Sequence, residues 1–162
     1  MADYSIRPTT PADVSWIKAW LNENWGSERM VARGEVFYPA DHAGFAAIRA
    51  GEPAGLLTYR IVDGACEVTL LDSLKEGIGI GTALIAAVRQ AALAAGCRRL
   101  WLITTNDNLN ALGFYQKRGF RLAALYPNAL ERSRQLKPEI PLTGDNDIPL
   151  RDEIELEMQL AP

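Results

Sequence analysis

The chain is poor in the residues that build metal and redox sites. Its 162 residues include two cysteines, Cys66 and Cys97, and a single histidine, His42. These three residues do not have the spacing of a metal-binding motif. Both cysteines lie in apolar segments of the kind that is usually buried. We therefore expect free buried thiols, no disulfide and no metal ion.

The sequence also lacks a long hydrophobic run and an excess of positive charge. No segment is long and apolar enough to span a bilayer, and the first residues, M-A-D-Y, lack the features of a signal peptide. We therefore predict a cytoplasmic protein with no membrane partner. The net charge of −3 argues against a nucleic-acid partner. The length and the apolar fraction of 48% suit one globular domain over residues 1–162.

The pattern of apolar residues predicts several strands and helices. The predicted strands are 4–7, 46–49, 56–62, 66–71, 100–105, 120–125 and 153–160. The predicted helices begin at Thr10, after Thr82, at the capping run Asn106-Asp107-Asn108 and at Asn128. Asp63-Gly64 predicts a hairpin, and residues 25–42 have no regular pattern. These elements predict an α/β (α+β) fold, a mixed, mostly antiparallel central sheet flanked by helices on both faces.

The last predicted strand is preceded by an unusually long segment, at about residues 128–149. It contains a short helix that ends before Pro138 and a loop around Gly144. In the strand itself, acids at alternate positions are expected on a solvated face, opposite Ile154, Leu156, Met158 and Leu160. The extra surface of this tail would suit a homodimer.

The most informative feature is a glycine-rich segment between a predicted strand and a predicted helix. Residues 75–82 read K-E-G-I-G-I-G-T and lead directly into the apolar run A-L-I-A-A-V. Glycines at alternate positions allow a tight turn, and the N–H groups at the start of a helix favour a bound anion. The segment lacks the G-K-[ST] of a nucleotide P-loop and the spacing of a dinucleotide motif. By itself it predicts either a phosphate site or a tight connection.

A second motif lies further along the chain. Residues 104–120 read T-T-N-D-N-L-N-A-L-G-F-Y-Q-K-R-G-F. Together the two segments resemble the GNAT superfamily of N-acetyltransferases. The first signature of that superfamily, [R/Q]-x-x-G-x-[G/A], falls on residues 76–81. The second, N-x-x-A-x-x-F-Y with a following G-F, falls on Asn108, Ala111, Phe114, Tyr115, Gly119 and Phe120.

The resemblance implies the acyl-CoA N-acyltransferase fold and a donor site for acetyl-CoA, with no metal. The enzyme would transfer the acetyl group to a primary amine of a small molecule or a protein. The backbone of the glycine loop would bind the phosphates, through Gly77, Ile78, Gly79, Ile80, Gly81 and Thr82. The backbone of Leu71 and Asp72, together with Asn108 and Tyr115, would contact the rest of the donor. Glu76 departs from the Arg or Gln of the family, and we expect its side chain to face solvent.

The resemblance also suggests catalytic residues. A phenol has a pKa near ~10, so Tyr115 is protonated at neutral pH and can donate a proton to a departing thiolate. The family commonly uses this tyrosine in that way, although simple packing beside Phe114 is the alternative. Glu67 is the first candidate for the base, and Asp72 competes with it, while either is otherwise a surface acid. His42 has a suitable intrinsic pKa but lies in the irregular region.

The acceptor site is predicted from the aromatic residues Trp20, Trp25, Tyr38 and Phe45, although core packing is the more usual role of such residues. Trp25 and Tyr38 stand out because they flank the irregular segment, where family members build their acceptor sites. Acids of the last strand, Asp152, Glu153 and Glu155, would favour a cationic amine, and a solvated strand face explains them equally well.

Two other functions are open at this point. A catalytically silent acyl-CoA-binding or regulatory domain is favoured by Glu76 and disfavoured by the intact Phe114-Tyr115 pair. A dinucleotide-binding oxidoreductase is disfavoured because the glycine motif has the wrong spacing and follows an antiparallel hairpin.

Overall fold

The computed structural model describes residues 3–74 and 77–160. The chain forms two compact units. The first contains Met1–Glu28, Tyr38–Leu100 and Leu160–Pro162, and the second contains Arg29–Phe37 and Trp101–Gln159. Lys75 and Glu76 lie outside the described residues, so the expected direction of the Glu76 side chain stays a prediction.

Strands and helices follow each other closely along the described part of the chain. In order they are β1 (Tyr4–Pro8), α1 (Val14–Trp25), β2 (Met30–Ala32), β3 (Glu35–Phe37), β4 (Ala43–Arg49), β5 (Glu52–Val62), β6 (Ala65–Ser73), α2 (Ile80–Ala94), β7 (Arg99–Thr105), α3 (Leu109–Lys117), β8 (Arg121–Tyr126), α4 (Ala129–Leu136) and β9 (Glu153–Gln159). Each strand and helix predicted from the sequence corresponds to one of these elements.

Antiparallel strands form the sheet of the first unit, in the order β1-β4-β5-β6. The residues between β5 and β6, Asp63 and Gly64, have φ values of 50° and 76°. Positive φ at both positions is the type I′ geometry of a two-residue hairpin, as the sequence predicts. The register between β5 and β6 shifts at Thr58/Tyr59, so Thr69 has no residue directly opposite and forms a β-bulge.

Helices cover both faces of this sheet. A Cβ added to Gly55 on β5 would lie 2.6 Å from Ile80, so Gly55 faces α2. The neighbouring Leu56 points to the opposite face, and its partner on β6 is Asp72. Asp72 accepts a hydrogen bond from Trp20 of α1, so α1 lies on that opposite face. The predicted helices on both faces are therefore present in the first unit.

Both helices of the first unit pack through apolar side chains at helical spacing. The buried residues of α1 are Ile17, Trp20 and Leu21. The buried residues of α2, which contacts β4, β5 and β6, are Ile80, Leu84, Ile85, Val88 and Ala92. After α2 the chain turns at Gly96, whose φ of 78° favours glycine. Because Ile80 is buried at the first position of α2, packing on the sheet fixes where this helix begins.

In the second unit, β9 lies between β7 and β8. β8 and β9 are antiparallel, and their register shifts at Leu122/Ala124. The alternation predicted for β9 is wrong at Glu153, which is 2% exposed and not solvated. Burial raises the pKa of Glu153, and the backbone N–H of Arg33, which donates to its carboxylate, opposes that rise.

A short hairpin occupies part of the region that shows no regular pattern in the sequence. β2 and β3 pair through the turn Arg33-Gly34, whose φ values are 52° and 71°. The guanidinium carbon of Arg33 lies 3.3 Å from the centroid of the Tyr126 ring. This cation–π contact and the hydrogen bond to Glu153 hold the hairpin in the second unit.

The long segment before β9 contains the predicted short helix, α4, and a loop that is fixed by side chains. The Asn106 amide donates to the carbonyl of Pro149 at 2.9 Å, and Asp107 accepts the backbone N–H of Asp145 at 2.8 Å. A Cβ on Gly144 would overlap the Asp107 carboxylate. Asn106 and Asp107 therefore hold the tail loop, and their predicted role in capping α3 is wrong.

Candidate active site

The glycine loop leads directly into the first turn of α2, which begins after Gly79. Gly77 and Gly79 have φ values of 83° and 89°, in the left-handed region that favours glycine. The N-cap residue of this helix, Gly79, has no side chain with which to cap the helix end. The N–H groups at the start of a helix have no partner within it, and the positive end of the helix dipole lies there. The local electrostatics therefore favour an anion.

The space around the loop suits a phosphate group. A Cβ built on Gly77 would meet nothing within 4 Å, so the loop is open on that side. A Cβ built on Gly79 would lie 3.3 Å from the hydroxyl of Tyr4, a residue that the sequence analysis did not single out. Backbone N–H groups and a neighbouring hydroxyl are the donors that bind phosphate oxygens at such helix ends. The described part of the loop therefore leaves space for an anion on the side of Gly77.

The end of β6 brings Asp72 together with two tryptophans of α1. The indole N–H groups of Trp20 and Trp25 donate to the same carboxylate oxygen, Oδ2 of Asp72, at 2.9 and 3.2 Å. No described residue donates to the second oxygen, Oδ1. Trp20 is buried, whereas the Trp25 side chain is 48% exposed. The structure thus joins a predicted acceptor residue, Trp25, to one of the two acids considered as the base.

The other predicted acceptor residue is Tyr38, which is 47% exposed. It directly precedes the short turn Pro39–Asp41, and that turn contacts α1. Exposure argues against the alternative that Trp25 and Tyr38 are core residues.

Glu67 lies earlier on β6, in a different environment. It is 8% exposed, so it is not a solvated surface acid. Its Oε1 accepts a hydrogen bond at 2.8 Å from Nε of Arg60, its cross-strand partner on β5. Arg60 therefore balances the charge of Glu67, and an ion pair between neighbouring strands is a structural role for this acid.

His42 is connected to the central strands. Its Nδ1 lies 2.9 Å from Oγ1 of Thr69, the bulged residue of β6, and Oγ1 of Thr69 lies 2.8 Å from Oγ1 of Thr58. His42 lies in a region without a regular sequence pattern, and no local signal indicates this pairing across 27 residues. The histidine is half-buried, so it is not a simple surface residue.

Asn108 and Tyr115 belong to the second unit. The Asn108 side-chain oxygen accepts the backbone N–H of Ala111 at 3.1 Å, so the predicted cap of α3 is present. The Tyr115 ring is buried and makes edge-to-face contacts with Phe114 and Phe120, at centroid distances of 5.2 and 5.4 Å. Burial raises the pKa of Tyr115, so its phenol is protonated at neutral pH. Packing and a proton-donor role are therefore compatible in Tyr115.

The two cysteines are free and buried, as predicted. Burial raises the pKa of the Cys66 thiol to about 12, so it is unreactive at neutral pH. Residues 3–74 and 77–160 contain no cluster of metal-ligating side chains. Within these same ranges, no helix has the length and hydrophobicity needed to cross a membrane.

Along the chain a strand, a glycine loop and a helix are followed by a capped helix that carries a buried tyrosine. The chain belongs to the acetyltransferase (GNAT) family, whose sequence pattern matches residues 13–120 and includes both motifs. The uncharacterized protein YdhI of Bacillus subtilis (strain 168) is 49% identical over 133 residues, which cover 82% of this chain and 83% of that protein.

Solved structures show the same fold at lower sequence identity. The IAA acetyltransferase from Bacillus cereus ATCC 14579 is 22% identical, with a TM-score of 0.74 over 97% of this chain and 99% of that one. A GNAT family acetyltransferase from Elizabethkingia anophelis with acetyl-CoA bound is 20% identical, with a TM-score of 0.70 over 99% and 100%. The predicted α/β fold, mixed and mostly antiparallel with helices on both faces, is confirmed, and the family supports an acyltransferase.

Proposed function

We propose that this protein is an N-acetyltransferase that transfers the acetyl group of acetyl-CoA to a primary amine of a small molecule or a protein. The observation that carries the proposal is the open glycine loop that leads into the start of α2. Membership of the GNAT family supports the reaction class, and the acetyl-CoA bound to the Elizabethkingia acetyltransferase supports the choice of donor.

The donor is held mainly by backbone groups. Acetyl-CoA supplies an activated acetyl thioester. The N–H groups of residues 77–82 bind its diphosphate, where the helix dipole adds to their attraction. The backbone at Leu71 and Asp72 and the side chain of Asn108 bind the pantetheine arm. One N–H at the end of β6 donates to the thioester oxygen and stabilises the negative charge that develops there.

Two proton transfers accompany acetyl transfer. The acceptor nitrogen forms a bond to the carbonyl carbon, the carbon–sulfur bond breaks, and the nitrogen gives up a proton to a base. Tyr115 donates a proton to the departing sulfur. Because burial makes the phenolate costly, Tyr115 regains its proton before the next turnover. Glu67 is the first candidate for the base, with Asp72 as its competitor, and Trp25 and Tyr38 contact the acceptor.

Titration calorimetry with acetyl-CoA, and with NAD as the control ligand, tests the donor site. We expect one-site binding of acetyl-CoA and none of NAD, followed by thiol release with at least one amine of a broad panel. Binding of acetyl-CoA without thiol release from any amine would support a silent binding domain and overturn the enzymatic proposal. Absence of binding would overturn the donor assignment.

A matched pair of glycine variants makes this test specific for the loop. Gly77 and Gly96 have similar positive φ values, 83° and 78°, and a Cβ on either meets nothing within 4 Å. Gly77→Val and Gly96→Val should therefore suffer similar backbone strain. Only Gly77→Val should lose affinity for acetyl-CoA, because Gly96 lies at the opposite end of α2 from the loop. Equal affinities in the two variants would contradict binding at the loop.

A further inference from the structure

Two aspartates of the first unit, Asp13 and Asp72, accept hydrogen bonds from tryptophan side chains. An arginine balances the charge of Asp13, whereas no described cation pairs with Asp72. Asp13 accepts the indole N–H of Trp16 at 2.7 Å and two guanidinium hydrogen bonds from Arg7 at 2.9 and 2.8 Å. The Arg7 hydrogen bonds hold the pKa of Asp13 well below its usual range. Asp13 is 4% exposed, so its charge is balanced inside the fold.

Asp72 also accepts hydrogen bonds from tryptophans, but it lacks a cationic partner among the described residues. Its Oδ2 accepts the indole N–H groups of Trp20 and Trp25, and no arginine or lysine among the described residues pairs with it. Neutral donors fix the orientation of a carboxylate but do not neutralise its charge. A half-buried carboxylate in this state is costly until a cation binds to it.

The surroundings of Asp72 suit an organic cation. Trp25 is held in place by its hydrogen bond to Asp72, yet about half of its side chain remains exposed, at 48%. An ammonium group at the free oxygen of Asp72 can therefore also contact an indole face, and tryptophan is the best ring for a cation–π contact. Glu67, the other acid of β6, is already paired with Arg60, so its charge does not need an ammonium group to balance it.

A carboxylate stabilises a neighbouring ammonium against loss of its proton. An amine must lose a proton to attack the thioester, so the nitrogen that binds Asp72 is not well placed to be the one that reacts. The acceptor that best uses Asp72 therefore carries a second positive charge in addition to its reacting amine.

We infer that Asp72, clamped by Trp20 and Trp25, is the specificity-determining carboxylate of the acceptor site, and that it selects acceptors with a positively charged group besides the amine that is acetylated. Diamines are the simplest members of this class. The inference rests on the proposed function, since it names the acceptor of that reaction.

Binding of a diamine is observed directly through the tryptophan N–H groups. In isotope-labelled protein, diaminopentane should shift the indole N–H signals of Trp20 and Trp25, because both donate to Asp72. The signal of Trp16 should shift less than those of Trp20 and Trp25, because its partner Asp13 is already paired with Arg7 and only its ring contacts Trp20, at a centroid distance of 6.1 Å. Uncharged pentanediol should shift none of them. Diaminopentane should leave the Trp20 and Trp25 signals of Asp72→Asn unchanged, and a response equal to that of wild type would overturn the inference.

Kinetics test the choice of acceptor separately. With diaminopentane, Asp72→Asn should raise the KM for the amine by about tenfold or more, with kcat and the KM for acetyl-CoA within about twofold of wild type. The preference of the wild type for diaminopentane over pentylamine should disappear in this variant. Glu67→Gln should keep that preference, and its loss there instead would overturn the assignment.

A second variant covers the case in which Asp72→Asn does not fold. Trp25→Ala removes a half-exposed ring and leaves the carboxylate, so it should fold and bind diaminopentane several-fold more weakly. Unchanged affinity would overturn the role of the clamp. If diaminopentane shifts the Trp20 and Trp25 signals but no amine releases thiol, the proposed function fails while the cation site stands. If thiol is released from amines and these signals do not move, only the inference fails.

Discussion

Replacing Gly55 with alanine tests whether the packing of α2 positions the donor site. A Cβ at this position on β5 would lie 2.6 Å from Cγ2 of Ile80 and 3.2 Å from Cδ1 of Leu84. Ile80 is 1% exposed and Leu84 is fully buried, so neither side chain can swing into solvent. Gly55 does not have a left-handed φ, so the cost of the substitution comes from packing and not from the backbone.

The size of the overlap sets the expected effect. The shortest contact falls about 0.8 Å below the 3.4 Å at which ordinary van der Waals contact begins, so α2 must move away from β5. Overpacking of a core typically costs ~1–3 kcal/mol, and we expect the free energy of unfolding of Gly55→Ala to fall by that amount. Ile80 is the first residue of α2, so its displacement reaches the glycine loop. The affinity for acetyl-CoA should fall by roughly tenfold as the N–H groups lose alignment.

Urea denaturation followed by tryptophan fluorescence measures the first effect, and calorimetry with acetyl-CoA measures the second. Gly113→Ala is the matched control, because Gly113 lies inside α3, has no left-handed φ and has open space where the Cβ would go. Alanine should stabilise that helix by about 0.5–1 kcal/mol. If Gly55→Ala is as stable as wild type and binds acetyl-CoA equally well, the sheet absorbs the methyl group without moving α2, and the reasoning is refuted.

Two further predictions concern protonation. Tyr115→Phe keeps the buried ring and removes the proton donor, so kcat should fall by about 100-fold or more while the Kd for acetyl-CoA is unchanged. Thiol-release kinetics measure kcat, and calorimetry measures the Kd. An unchanged kcat would show that Tyr115 serves only in packing. Asp13 has a lowered pKa in the folded protein, so its stabilisation is complete above its ordinary pKa near ~4 and is lost as the pH falls below that value. Urea midpoints should therefore fall between about pH 5 and pH 2, and fall less in Asp13→Asn; the same pH dependence in both proteins would contradict the role of the Arg7 pair.

Local chemistry explains which parts of the fold could be predicted from the sequence. Asp63-Gly64 specifies its own turn, because both residues tolerate the positive φ of a type I′ hairpin. Gly96 ends α2, and Asn108 caps α3, through contacts within a few residues. The glycine loop is recognisable for the same reason, since its function depends on backbone that is local in sequence.

Features that depend on distant partners could not be predicted. Glu153 is buried, and its carboxylate accepts a hydrogen bond from the backbone N–H of Arg33, 120 residues away. Asn106 and Asp107 look like capping residues, yet their partners are in the tail loop. The turn Arg33-Gly34 was missed because arginine is a weak signal for a residue with positive φ.

The two indole-bound aspartates show the same distinction at the candidate site. Trp16 follows Asp13 by three residues, a spacing that places both on one side of a helical turn, whereas Trp20 and Trp25 precede Asp72 by 52 and 47 residues. The sequence therefore contains a local sign of the first pair and none of the second. The two aspartates also differ in charge balance, because Arg7 of β1 forms an ion pair with Asp13.

This difference in charge balance leads to opposite effects of the same substitution. Asp13→Asn removes a carboxylate that Arg7 balances, so the free energy of unfolding should fall. Asp72→Asn removes a charge that no described residue balances, and its amide oxygen can still accept the hydrogen bonds of Trp20 and Trp25. It should raise the free energy of unfolding of the free protein by about 0.5–2 kcal/mol, the usual gain when a costly functional group is removed. Urea denaturation without acceptor measures both variants. If Asp72→Asn is less stable than wild type, a cation outside the described residues already balances Asp72, and its carboxylate is not held ready for an acceptor.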